Sequence, residues 1–211
     1  MSSAEPLLVF PCNGNAVEAL DCLGDRWRLL GFVDDAEAKK GSRVHGLPVH
    51  GRELLAQRSE TKVLAVPGSP SSYRSRRQVI EGLGVSGARF ARVVHPSARI
   101  SPMAVIGRNV LIMAGVVVTS NAVIGDHVCI LPNTVVHHDV TVGAWTLIGS
   151  NVTLAGGVEL GENCYIGSGT SVMNGLRVGH GALVGLGSTL IRSVEPETVV
   201  AGNPARVLRT G

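Results

Sequence analysis

From Val94 to Leu190 every sixth residue is aliphatic, seventeen times without a slip of register: Val94, Ile100, Ile106, Ile112 and so on through Val178, Val184 and Leu190. Glycine follows that position at Gly107, Gly125, Gly143, Gly149, Gly161, Gly167, Gly179 and Gly185, and the fifth residue of each hexad is small or aliphatic, as at Ala104, Val110, Val116, Ala122, Val128, Val140, Val152 and Ala182. An α-helix has no use for a strict period of six, because residues six apart do not share a face at 3.6 per turn. A stacked β-solenoid does, since each hexad supplies one short strand and one corner. Three hexads per coil put residues 18 apart on top of one another, about 4.8 Å apart along the axis.

Residues 1–92 follow a different pattern. Pro6 to Phe10 predicts a buried strand, Pro11 to Asn15 a turn, and Ala16 to Leu23 a helix. Leu29 to Val33 predicts a second strand ending at Asp34-Asp35, Glu53 to Arg58 a short helix, and Lys62 to Val66 a third strand ending at Pro67-Gly68. Ser72 to Gly82 reads as a helix carrying Arg74, Arg76 and Arg77. Strands alternating with helices imply a small parallel sheet whose ligands lie beyond the carboxyl ends of the strands. After the solenoid, Val199 to Val207 is too apolar to extend into water and is expected to fold back on it.

The composition agrees. Of 211 residues 45% are hydrophobic but only 3% aromatic, as a narrow interior filled by Val, Ile and Leu requires. Nineteen basic against 16 acidic residues give a formal charge of +3, too mild for a nucleic-acid protein, and no basic block interleaved with aromatics appears. Cys12, Cys22, Cys129 and Cys164 form no CxxC pair and read as reduced thiols of a cytoplasmic protein. The opening residues lack the basic region and apolar length of a signal peptide, and no stretch approaches the roughly 20 apolar residues of a membrane span.

The hexads, the tail Ala201-Gly202-Asn203-Pro204-Ala205-Arg206 and the entry Val94-His95-Pro96-Ser97-Ala98 resemble the hexapeptide-repeat acyltransferases. Within them they are similar to the branch of sialic-acid O-acetyltransferase-like enzymes and sugar-nucleotide 4-amino N-acetyltransferases of bacterial surface-glycan (lipopolysaccharide, O-antigen) pathways. The resemblance implies a left-handed parallel β-helix over residues 93–211, with a small N-terminal α/β, Rossmann-like domain over residues 1–92. It also implies acetyl-CoA as co-substrate, a nucleotide-linked amino sugar as acceptor, and a homotrimer with active sites between subunits.

The segment Val135 to Gly143 resembles the branch's H-[DE]-x-x-[IV]-G motif and places His138 as general base with Asp139 beside it. A neutral imidazole must take a proton as nitrogen or oxygen attacks a thioester, and a carboxylate fixes its tautomer. Adjacent strand residues point to opposite faces, so His137 does not share the role unless a corner intervenes. For acetyl-CoA the resemblance points to Gly149, Ala155, Gly156, Gly167, Gly185 and Arg206, with Arg209 a further phosphate partner; the glycines serve equally as corner residues. For the nucleotide sugar it points to Asn13, Gly14 and Asn15 after the first strand, Asp34 and Asp35 after the second, and Gly68 and Arg76 after the third.

The chain departs from the branch in three places. Pro11 to Asn15 replaces a glycine-rich turn, Pro67 to Ser71 is a longer, proline-rich loop, and Leu147 stands where a second histidine is common. O-acetylation of a sugar or sialic acid therefore stays open beside N-acetylation. A zinc enzyme of the γ-carbonic anhydrase type requires three converging histidines, and the spacing of His95, His127, His137, His138 and His180 does not resemble its pairing. A non-catalytic solenoid is the third reading.

Overall fold

The strands of the solenoid are two residues long, and the hexad explains why. One residue of each pair faces inward, and the chain then turns at a corner onto the next of three sides before the next pair begins. A computed structural model describes residues 4–209; Met1 to Ser3, part of the stretch read for a leader, lie outside the described residues.

Three parallel sheets wrap the solenoid. The first side stacks the pairs Arg99–Ile100, Val117–Val118, Val135–Val136, Thr153–Leu154, Ser171–Val172 and Thr189–Leu190. The second stacks the five pairs from Val105–Ile106 to Arg177–Val178, and the third runs from Val93–Val94 to Leu183–Val184. Register is 18 residues through the hexads, as in Val118 on Val136 and Ile130 on Ile148, and 16 where Val199 joins Leu183. The coil is left-handed. The hexad aliphatics from Ile106 to Leu190 are buried, each contributing about 1.5–3 kcal/mol of transfer free energy. Thr134, Thr146 and Thr170 share the interior because their hydroxyls donate to the carbonyls of Gly149, Gly161 and Gly185, 15 residues on.

The tail folds back as expected. Val199–Gly202 extends the third side in parallel with Leu183–Val184, and Ala205–Arg209 returns antiparallel to it as the edge.

The N-terminal sheet comprises β1 (Glu5–Phe10), β2 (Trp27–Val33), β3 (Arg43–Val44), β4 (Leu47–His50) and β5 (Lys62–Ala65), in the order β3-β4-β2-β1-β5. All its pairings are parallel except β3 with β4. The β3–β4 hairpin was not expected from sequence; it turns on His45 and Gly46, both at positive φ. The helices are α1 (Gly14–Glu18, continued as a 3-10 turn to Cys22), α2 (Glu53–Gln57) and α3 (Arg76–Glu81), the last entered through a 3-10 turn at Tyr73–Ser75. The expected Ala16–Leu23 and Ser72–Gly82 helices are thus each divided in two.

This sheet and its helices pack on the third side of the solenoid. Leu111, Met113, Cys129 and Leu147 point outward from that side and share a core with Leu7, Val9, Phe32 and Leu64. Burial raises the Cys129 thiol to about 12 and the Cys164 thiol to about 11, so both remain protonated.

Candidate functional site

His138 lies at the corner between the first and second sides, after the pair Val135–Val136 and before Thr141–Val142. The corner is what lets neighbouring residues meet. Asp139 takes a φ of +59, which brings its side chain back on the ring, and its Oδ2 stands 2.7 Å from His138 Nδ1. An ionised carboxylate can only accept, so Nδ1 carries a proton, and Nε2 is the acceptor atom of the neutral ring. Asn121, one coil below, donates from Nδ2 to Asp139 Oδ1 at 3.0 Å. The His138 bond first, then the Asn121 bond, hold the Asp139 carboxyl below the usual carboxylate range.

Gly156, one coil above, faces this imidazole: a β-carbon there would stand 2.5 Å from both Cε1 and Nε2 of His138. Its smallness is therefore spent on the histidine ring, whereas the resemblance pointed to the co-substrate. Ala155, beside it, is partly exposed. Gly149, Gly167 and Gly185 sit at the corner between the third and first sides, where a side chain would strike Ser168, Leu186 and Ala201 of the following coil. Their first requirement is backbone stacking. Arg206 is exposed on the closing hairpin, with Arg209 at its end.

The N-terminal residues separate into framework and exposed surface. Asn13 caps α1 by accepting the Ala16 N–H at 3.0 Å and donates to the Val66 carbonyl at 3.2 Å, tying the first loop to the third. Gly14 is exposed, with open space where a side chain would go. Asp34 is buried and accepts from the amides of Cys12 and Ala36 and from Lys39 Nζ, all at 2.9 Å. Burial alone raises its carboxyl, but the Ala36, Lys39 and Cys12 bonds outweigh this and hold it low. Asp35 is exposed and pairs with Arg52.

Arg76 is the clearest correction. Its side chain is buried and donates to the carbonyls of Pro67, Trp145 (2.9 Å) and His127 (2.6 Å), so it cannot meet a substrate. Burial pulls its pKa down to about 10, still a cation at neutral pH. It belongs to a set of contacts that sequence reasoning missed and that fasten the N-terminal elements to the corner between the second and third sides. Asn109 exchanges two hydrogen bonds with the backbone of Ala65, Tyr73 donates to Gly181 O, and Asn163 donates to Arg74 O. Around them His127 stacks on Trp145 at 5.5 Å, meets Phe90 edge-on at 5.0 Å, and Arg77 lies over the indole at 4.7 Å.

A cleft of about 190 Å³ opens between the N-terminal loops and the third side. Asn15 and Gly68 contribute one wall; Leu131, Leu147, Gly149 and Tyr165 the other. It thus collects two residues expected to hold the sugar nucleotide and one expected to hold the co-substrate, but not the histidine. The third side of a three-sided prism lies opposite the corner joining the first two, so His138 and this cleft of the same chain face away from each other. Met103, Met173 and Ile191 are exposed at the histidine's corner, and Val105 and Val123 beside it on the second side. Among the described residues no three His, Cys, Asp or Glu side chains assemble a metal site.

Residues 103–136 and 121–156 match the family model described as bacterial transferase hexapeptide (six repeats). Among solved structures, the acetyltransferase domain of PglB from Neisseria gonorrhoeae FA1090 is 30% identical with a TM-score of 0.84, the match covering 97% of this chain and all of that one. A histidine-to-asparagine mutant of perosamine N-acetyltransferase from Caulobacter crescentus, bound to CoA and GDP-perosamine, is 26% identical over 99% and 98% of the two chains, with a TM-score of 0.85. WeeI from Acinetobacter baumannii AYE shares the fold at 23% identity and a TM-score of 0.82, over 97% of this chain and 100% of that one. A search of the curated proteins finds no match. The chain belongs to the hexapeptide-repeat acyltransferases, in the branch of acetyl-CoA-dependent sugar acetyltransferases.

Proposed function

We propose that this protein transfers the acetyl group of acetyl-CoA to the amino group of a nucleotide-linked 4-amino-4,6-dideoxy sugar, in the cytoplasm and within bacterial surface-glycan synthesis. The observation that carries the chemistry is the His138–Asp139 pair, which makes Nε2 the acceptor atom of the neutral ring. Support for the reactants comes from the relatives: the PglB domain has been solved with acetyl coenzyme A, and the perosamine enzyme with CoA and GDP-perosamine. Residues 1–92 hold the nucleotide sugar and residues 93–211 perform the transfer.

In this reading the acceptor amine attacks the thioester carbonyl and loses its proton to His138 Nε2. Asp139 stabilises the resulting imidazolium. The carbon–sulfur bond then breaks, the thiolate takes the proton from His138, and the amide and free CoA leave.

The opposed placement of His138 and the cleft supports a trimer in which one subunit's histidine serves the N-terminal loops of its neighbour. The uncovered Met103, Met173, Val105 and Val123 are the surface such packing covers.

The test is thiol release from acetyl-CoA across UDP-, dTDP- and GDP-linked 4-amino-6-deoxy sugars, with His138→Ala in parallel. Release with one amino sugar, reduced by two or more orders of magnitude in the variant while acetyl-CoA affinity stays within about twofold, is the expected result. Silence across the panel, with acetyl-CoA bound, refutes N-acetylation and returns the assignment to a hydroxyl acceptor.

A further inference from the structure

At the corner that carries His138, one residue adopts positive φ in each of four successive coils: Asn121 (+60), Asp139 (+59), Gly157 (+71) and Gly175 (+68). Glycine satisfies this conformation without a side chain, and in the two later coils it does so. The two earlier coils place an amide and a carboxylate there, one above the other, and these touch. Asn121 Nδ2 donates to Asp139 Oδ1 at 3.0 Å while Asp139 Oδ2 accepts from His138 Nδ1 at 2.7 Å.

We propose that Asn121 is a positioning residue for the acetyl-transfer reaction: it fixes the rotation of the Asp139 carboxylate so that Asp139 in turn fixes the tautomer of His138. The inference rests on the reading of His138 as base. Asp139 is exposed within the single chain, so packing does not hold its terminal torsion, which is broad and roughly two-fold for a carboxylate. The Asn121 amide occupies one oxygen and leaves the other facing the ring. Without it the carboxylate turns toward water, the imidazole is free to carry its proton on Nε2, and the lone pair needed for proton acceptance is lost from that atom.

The competing explanation is that asparagine stands at position 121 only because it tolerates this backbone. Asn133 and Asn151 supply the comparison, with φ of +60 and +55 at the corner between the third and first sides. Among the described residues neither side chain makes a hydrogen bond to another side chain.

The experiment is nitrogen-15 NMR of the His138 ring in the full chain, with steady-state kinetics, for wild type, Asn121→Gly and Asn133→Gly. Glycine keeps the corner backbone and removes only the amide. The expected result is a Nδ1–H tautomer in wild type, a mixture of tautomers in Asn121→Gly with kcat about tenfold lower and KM for acetyl-CoA unchanged, and wild-type behaviour in Asn133→Gly. Asn121→Asp, which sets two carboxylates against each other, fails to restore kcat. An unchanged tautomer in Asn121→Gly overturns the proposal, as does an equal loss of kcat in Asn133→Gly. A mixed tautomer with full kcat leaves the orientation standing and removes His138 as the base, so the two readings fail separately.

Discussion

The His138 imidazole faces Gly156, one coil above, so closely that a β-carbon on that residue would stand 2.5 Å from the ring. Gly156→Ala is therefore expected to push the ring off the line that Asp139 sets for it. A displacement of about 1 Å at a reacting atom costs on the order of 100-fold in rate. Steady-state kinetics will show a fall in kcat of that order, with the thermal midpoint nearly unchanged because the site is at the surface. Full activity in Gly156→Ala means the ring works from another position.

Gly14 and Gly143 make opposite predictions. Nothing lies within 4 Å of a β-carbon on Gly14, whereas one on Gly143 meets the backbone of Gly161. Gly143→Ala should unfold at lower temperature, by an amount equivalent to about 1–3 kcal/mol for an overpacked site. Gly14→Ala should melt with wild type, and any rise in KM for the nucleotide sugar then reports a ligand at that loop directly.

Arg76→Met removes a buried cation and leaves the carbonyls of Pro67, Trp145 and His127 without their donor. Each unsatisfied group costs about 1–3 kcal/mol, so a loss of at least about 3 kcal/mol is expected. Arg76→Lys should not restore it, since an ammonium cannot span three carbonyls in the plane that a guanidinium fits. Chemical denaturation of the two variants tests both statements. Stability equal to wild type in either refutes the fastening role.

His127 gives the pH dependence. Burial is the main cause that lowers its pKa; Asp126 opposes this, and Arg76 and Arg108 add to it. The folded chain therefore keeps it neutral at a pH where the unfolded chain, near 6.5, takes up a proton. More protons on the unfolded state mean that stability falls as pH drops below about 6.5 and stops falling below the folded pKa. Thermal midpoints between pH 7 and pH 5 should decline more steeply in wild type than in His127→Asn. Parallel curves would show that the stacked ring does not carry this dependence.

The solenoid was legible because it is local and periodic. A six-residue pattern fixes the inward position, the corner and, through three hexads per coil, the 18-residue register of the repeats. The pairing of His138 with Asp139 was only half legible. The residue types pointed to it, but adjacent side chains meet only because Asp139 lies in the left-handed region. That conformation has its own signal, since Asn109, Asn121, Asn133, Asn151 and Asn163 all fall three residues after a hexad aliphatic and all take positive φ. Arg76 was misread for a different reason. An arginine following the third strand looks like a phosphate ligand until the element docks on the solenoid and three carbonyls take its donors. Docking of this kind has no periodicity for a sequence to display. The β3–β4 hairpin escaped because strands of two and four residues carry too short an alternation to stand out.

The uninterrupted coil also makes the molecule a ruler. Asn109, His127, Trp145 and Asn163 mark successive 18-residue steps along one edge, and the N-terminal loops are fastened to those marks. His138 stands on another edge of the same scale, so its height relative to the loops is set in graduations of one strand spacing, about 4.8 Å. His138 falls between the second and third of these marks, so a coil inserted there would keep the core intact but carry Trp145 and Asn163 one full mark away from the loops they fasten. The height of the base against the loops is therefore locked from both sides, and an acceptor of another length has to be met by the loops rather than by the coil.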